Sequence, residues 1–341
     1  MSKLTFIPKS AMSIVRLLAL GLVFSLAACD KAKNEPPKVV DLPTVSLRQE
    51  WFPNSNYAGA LFAAKEFAVK EGIKLVVQPG ADNIDPIKLV LSGESTFGDA
   101  GADKIIAANQ KGAGLVVIGV LNNVSPTCFI AKKEANILTP MDFKGKKIGV
   151  LAGTSTEYVY RTMLSKLNIQ KSSFTEIDAP FDLATFIAGQ YDVRPAFIYD
   201  EPVSLDLKQI QYTIIRPEKY GVNFLGTVYF TTKKYAAENP QLVQKFINSV
   251  AAGWRAAAKE PDKAIGYLKE YDKTADTQRE LIALNKSLEY FAGYQGKVLS
   301  LDPVAWEQTV RNLKDLAVID STEVGATLDM HFVDEFHRLS K

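Results

Sequence analysis

Residues 44–77, TVSLRQEWFPNSNYAGALFAAKEFAVKEGIKLVV, change their apolar period twice. Val45, Leu47, Gln49 and Trp51 fall on one face of an alternating strand. Ala60, Leu61, Ala64, Phe67 and Ala68 then recur at helical spacing as far as Gly72, and Ile73 to Val77 reads as a second strand. Downstream, Asp82 or Asn83 is placed to cap a helix carrying Ile87, Leu89, Val90 and Leu91. A short strand to Asp99 follows, then a helix near Ala102–Lys111 closed by Gly112, and the apolar strand Leu115–Leu121. Strands alternating with helices in this way build a mainly parallel sheet with helices on its faces.

The rhythm then restarts. Lys146–Leu151 reads as a strand, Ser155–Leu167 as a helix, Phe174–Asp178 as a strand, Asp182–Gly189 as a short helix and Ala196–Tyr199 as a buried strand. After Tyr229–Thr232 the pattern is helical to the end, through Pro240–Lys259, Pro261–Tyr271, Thr277–Phe291 and Pro303–Leu316. Asp302-Pro303 supplies a capping acid and a proline at the first helical position. Leu242, Phe246, Val250 and Trp254 give these helices an apolar stripe to lay on the first unit. The expectation is an α/β chain of two lobes, each a mainly parallel sheet flanked by helices, with a hinged ligand cleft. Lobe one takes residues 44–130 plus 232–341 and lobe two takes 131–231.

The N-terminus addresses the chain. Residues 1–16 hold Lys3, Lys9 and Arg16 and no acid, and Leu17 to Ala28 is a short apolar run ending in small residues. These are the marks of a secretory signal, and the run is shorter than the ~20 residues a membrane span needs. Leu26-Ala27-Ala28-Cys29 resembles the bacterial lipobox, which implies acylation of Cys29 and a signal peptide at 1–28. The following Asp30 then implies retention on the outer face of the cytoplasmic membrane, the periplasmic side where a second membrane exists. Residues 29–43 are polar, proline-containing and aperiodic, as a tether should be.

Composition narrows the class further. Without the three signal-peptide bases, 37 basic residues face 38 acids, so the mature charge is near −1. That balance, and the lack of a basic run, argue against nucleic acid as a partner. A lipidated Cys29 leaves Cys128 alone, hence no disulfide, and Cys128 reads as a small buried hydrophobe. The only histidines, His331 and His337, give no basis for a metal site. No phosphate loop or nucleophile–base pair is evident either, so neither a cofactor nor an enzyme is expected. The expected state is a monomer.

Trp51-Phe-Pro-Asn-Ser-Asn-Tyr-Ala-Gly59 resembles the W-x-P-N-x-x-x-x-G signature of the thiamine-pyrimidine-precursor branch of periplasmic binding proteins. Asp142-Phe-Lys-Gly-Lys-Lys-Ile-Gly-Val150 is similar to the segment that opens lobe two across the wider sulfonate, nitrate and taurine superfamily. Phe97-Gly98, Glu201, Tyr220-Gly221-Val222 and Glu238-Asn-Pro-Gln-Leu-Val243 match as well. Asn56-Tyr57 departs from the pattern, since many members carry His there. The resemblance implies the type II two-lobe fold and the ligand-capturing component of an ABC importer, with a permease and its ATPase as partners. A related fungal protein makes the thiamine pyrimidine from its own His beside a cofactor Lys; this chain has no His before His331.

In open α/β sheets the binding crevice lies beyond the carboxyl ends of the strands. Those ends deliver Trp51 to Tyr57, Asp99 to Asp103, Gly153 to Glu157, and Tyr199 to Glu201. Trp51, Tyr57 and Tyr199 offer flat faces for an aromatic ring. Asn54 and Asn56 suit the edge of an aminopyrimidine, and Glu201 could accept from an exocyclic amine. Gly153, Thr154 and Ser155 open a helix whose free N–H groups welcome an oxygen. Each has an ordinary use too: Trp51 as a core aromatic, the asparagines in turns, Asp99 and Asp103 as caps, Glu157 on a helix dipole. The acids Asp99, Asp103, Glu157, Asp200 and Glu201 outnumber Lys104 and Arg161 in these loops, which favours an amino-substituted heterocycle over an oxyanion. An aminopyrimidine precursor of thiamine is therefore the expected ligand. Flavin, taurine and alkanesulfonate remain alternatives, as does a ligand-sensing lipoprotein without a transporter.

Overall fold

The computed structural model describes residues 41–324 and 327–340. The expected signal peptide and Cys29 lie outside the described residues, as does most of the expected tether.

Two five-stranded sheets organise the chain. The first contains β1 (Thr44–Arg48), β2 (Lys74–Gln78), β3 (Phe97–Gly101), β4 (Leu115–Val120) and β10 (Thr227–Thr232), in the order β2-β1-β3-β10-β4. The second contains β5 (Thr127–Lys132), β6 (Lys147–Val150), β7 (Thr175–Asp178), β8 (Val193–Phe197) and β9 (Tyr212–Ile215), in the order β7-β6-β8-β5-β9. Strand β1 is parallel to both neighbours, and only β10 opposes the rest of its sheet. In the second sheet β5 plays that role, antiparallel to β8 and β9. Each sheet is thus mixed, with one reversed strand among parallel ones.

Those two reversed strands move the lobe boundaries. Residues 127–130 belong to β5 and pair with β8, and residues 227–231 belong to β10 and pair with β3 and β4. The chain therefore changes sheets at 121–126 and 216–226, a few residues before each boundary expected from the sequence. The sequence pattern does not separate β5 and β9 as elements of their own. An apolar run carries no mark of which sheet will bond it, because that is decided by distant partners.

The helices follow their local signals closely. They are α1 (Ala58–Phe62, continued by a wider turn over Ala63–Phe67), α2 (Pro86–Leu91), α3 (Ala102–Gln110), α4 (Ser155–Lys166), α5 (Ala184–Ile187) and α6 (Glu201–Leu207). After β10 come α7 (Lys233–Glu238), α8 (Pro240–Lys259), α9 (Pro261–Tyr271), α10 (Thr277–Phe291), α11 (Pro303–Asp315) and α12 (His331–Leu339). Asp302 caps α11 with Pro303 at its first position, as expected. The cap of α2 is Asp85 rather than Asp82 or Asn83, because Pro86 fixes the first helical residue and Asp85 accepts from the Ile87 and Lys88 amides.

One core joins α8 to the first sheet. Phe246, Val250 and Trp254 are buried among Val45, Leu47, Phe97 and Tyr229, with Leu242 packed at the edge. Phe97 stacks on Phe246 at 3.9 Å, and Trp254 on Phe291 at 4.0 Å. Gly59 and Gly253 let α1 and α8 cross in contact. A Cβ on Gly59 would land on the Trp254 indole, and one on Gly253 would strike the Gly59 carbonyl oxygen.

Candidate functional site

The end of β1 is held by side chains where a strand would use neighbouring backbone. The Glu50 amide donates to Asp99 Oδ1 at 2.9 Å, and the Trp51 amide donates to the Tyr57 hydroxyl oxygen at 2.8 Å. Asn54 Oδ1 accepts from the Asn56 amide at 2.9 Å, and the Ser55 amide donates to Glu280 Oε2 at 2.6 Å. Asn54 and Tyr57 therefore shape the loop. Asn56 is left with its side-chain oxygen buried and unpartnered.

That oxygen has company. Among the described residues seven buried side-chain nitrogen or oxygen atoms find no partner, and all but Thr162 Oγ1 lie in Arg48, Gln49, Asn56, Asp99 and Asp103. Gln49 is 0% exposed with both amide atoms free; Asp99 and Asp103 are 0% and 1% exposed, each with Oδ2 free. An unsatisfied buried polar group costs about 1–3 kcal/mol. Gathered near the ends of β1 and β3, these atoms are candidates for bonding to a ligand or to ordered water.

Burial acts on the acids as expected for charges withdrawn from water. It pushes the Asp99 carboxyl well up, against the Glu50 amide bond that favours the anion. It pushes Asp103 up to about 6, against the nearby Lys104 ammonium and the Ser155 hydroxyl. Lys104 is itself bridged to Glu50 at 2.7 Å. Burial first, and then the charges of Asp99 and Glu50, push the Tyr57 hydroxyl well up.

The second lobe meets this set directly. Ser155 Oγ, at the start of α4, donates to Asp103 Oδ1 at 2.9 Å. Phe181 packs edge-on to Trp51 with ring centres 4.5 Å apart. The carbonyls of Phe181 and Asp182 are gripped by Arg194, fully buried, at 3.1 and 2.6 Å. Tyr199 packs against Tyr290 and Phe291 of α10.

Hydrogen bonds thus tie Trp51 to Tyr57 and Asp103 to Ser155, with Asn56 and Asp99 in the same strand-end region and Tyr199 packed on α10. The other expected residues are engaged with their own lobe. The Gly153 amide donates to Glu157 Oε2 at 2.8 Å, Glu157 pairs with Arg161, and the Thr154 hydroxyl donates to the Leu151 carbonyl. Glu201 Oε2 accepts from the Phe197 amide at 2.8 Å and Oε1 faces Arg194 at 3.4 Å. The alternation of β1 marks Gln49 only as a core-facing residue. Its signal was there to read: an amide in a position otherwise held by Val45 and Leu47.

Two lobes with mixed sheets, their reversed strands exchanged near the crossings, define the periplasmic-binding-protein fold. The chain belongs to the NMT1/THI5-like family, whose model matches residues 54–264. Among curated proteins it is 24% identical to a 4-amino-5-hydroxymethyl-2-methylpyrimidine phosphate synthase of Legionella pneumophila, covering 81% of this chain and 87% of that one. It is 22% identical to the riboflavin-binding protein RibY of Chloroflexus aurantiacus, covering 73% and 76%. Among solved structures, the periplasmic sulfonate-binding protein SsuA from Methylobacillus flagellatus superposes with a TM-score of 0.66 at 17% identity, over 88% of this chain and 95% of that one.

Proposed function

We propose that this chain is the extracytoplasmic, lipid-anchored binding component of an ABC importer, and that it captures a small aminopyrimidine precursor of thiamine between its lobes. The observation that carries this reading is the cluster of unpartnered buried atoms in Gln49, Asn56, Asp99 and Asp103. They offer mostly acceptors, with one amide donor, beside the aromatic faces of Trp51, Tyr57 and Tyr199. An amino-substituted ring can donate to the acids and stack on the aromatics. A sulfonate brings only acceptors, which this mostly oxygen-bearing set is poorly matched to bond. The name of the Legionella relative supports a thiamine-pyrimidine connection.

That same name raises the question of turnover. The fungal pattern requires a His beside a cofactor Lys, and both histidines of this chain are in the last helix, with His337 held against Arg255 and the Val298 carbonyl. This supports reversible capture without chemistry.

Isothermal titration of the chain from Asp30 onward tests the proposal, using formylaminopyrimidine, hydroxymethylpyrimidine, thiamine, riboflavin, taurine and an alkanesulfonate. We expect one-to-one binding of a pyrimidine, recovered chemically unchanged, with the sulfonates silent. Tight binding of a sulfonate or taurine would overturn the ligand assignment. Consumption of the pyrimidine would overturn the binding-only reading.

A further inference from the structure

Gln49 has no structural use for its amide. It ends the face of β1 that carries Val45 and Leu47, is entirely buried, and gives neither its nitrogen nor its oxygen to any protein atom. A leucine would fill a similar volume without the cost of burying two unpaired polar atoms. Asp99 is its neighbour: β1 and β3 pair in parallel with Leu47 opposite Phe97 and Arg48 opposite Gly98, so the next step sets Gln49 beside Asp99. Phe97 and Tyr229 belong to the same core as Val45 and Leu47, and Tyr229 pairs with Asp99 across β10. Gln49, Asp99 and Tyr229 thus form a row across three strands on one face. Tyr229 is already occupied, accepting from the Trp254 indole N–H at 3.1 Å. One Asp99 oxygen is also taken, by the Glu50 amide. What remains open is a complete amide and one carboxyl oxygen, side by side.

We propose that Gln49 and Asp99 read one edge of the bound ring, the Gln49 N–H donating to a ring nitrogen and Asp99 Oδ2 accepting from the adjacent exocyclic amine. This rests on the aminopyrimidine reading above and assigns which residues select the amino group. The two partners are unequal. The Gln49 amide can turn over and present its oxygen where it had presented its nitrogen. As the carboxylate, Asp99 accepts from the amine through Oδ2, whereas an asparagine there could offer a donor. Discrimination between an amino ligand and its oxo analogue therefore falls on Asp99, and Gln49 contributes affinity to both.

Titration of the full mature chain with 4-amino-5-hydroxymethyl-2-methylpyrimidine and with its 4-oxo analogue tests this, in wild type, Q49L and D99N. The wild type should prefer the amino ligand by on the order of a hundredfold, as a site built for a donor rejects a ligand lacking it. D99N should cut that ratio at least ~10-fold, the scale of one hydrogen-bond mismatch. Q49L should weaken both ligands about 10-fold on the same scale, leave their ratio unchanged, and raise the melting temperature of the ligand-free protein. Should Q49L fail to fold, Q49M serves in its place. Unchanged affinities in Q49L, or a wild-type ratio near one, or a ratio untouched in D99N, would overturn the pair while leaving pyrimidine binding intact. Failure of the wild type to bind either pyrimidine would overturn both this assignment and the proposed function.

Discussion

Asp103 stands in the first turn of α3, where a carboxylate ordinarily gains from the helix dipole. Burial overrides that gain and holds its folded-state pKa at about 6, against ~3.9 for an unfolded aspartate. Between those values the folded protein keeps a proton that the unfolded chain has lost, so stability increases as pH falls through the window. Above pH 6 the full cost of the buried anion is present, about 3 kcal/mol. We expect D103N to raise the melting temperature at pH 7 and to flatten its pH dependence between pH 4 and 6; a profile superimposable on the wild type would refute this. Asp99 and Glu201 are shifted upward by burial as well, so part of the slope should survive. At this scale the positions of Asp99, Asp103, Asn56 and Tyr199 in or after strands were legible, since those positions follow from the alternation of elements. Glu201 was legible as a position but not in its engagement, because Arg194 reaches it only through the turn after β8. Gln49 was hidden by its own regularity, for a binary pattern records where a side chain points and not whether its amide is satisfied.

The crossing of α1 with α8 shows what a motif glycine does at the scale of elements. Gly59 closes the Trp51–Gly59 signature, and its contact with Trp254 leaves no room for a methyl group. G59A should destabilise the protein by about 1–3 kcal/mol, as overpacking does, in chemical denaturation. Stability equal to wild type would mean the helices can part without loss. Because α1 follows the ligand loop directly, the same variant should also weaken ligand binding. Helix starts were readable from proline and aspartate pairs, as at Asp302-Pro303, since a cap acts within one turn. The close approach of Gly59 to Gly253 was not, since the two residues lie far apart in sequence and neither carries a side chain to announce the meeting.

At the scale of the molecule, α10 of the first lobe is bonded to α6 of the second. Arg279 pairs with Asp200 and donates to Ser204 at 3.2 Å, Lys286 pairs with Asp206 at 3.0 Å, and Tyr199 packs on Tyr290. These bonds join the lobes, so they favour the closed arrangement. R279M should enlarge the radius of gyration of the ligand-free protein in small-angle scattering and weaken ligand binding severalfold, more so at low salt where ion pairs are least screened. An unchanged radius and affinity would show that these bonds do not set closure. Two lobes were legible from the restart of the strand–helix rhythm, but their exchange points were not, because the reversed strands β5 and β10 look locally like any others. That exchange bears on the order in which the chain comes together as it folds. The second sheet is drawn from the unbroken span 127–215, so it can assemble without waiting for any later segment. The first sheet has β10 wedged between β3 and β4, and those earlier strands must wait, unjoined, for residue 227 and beyond. The half of the protein made first is therefore the half completed last.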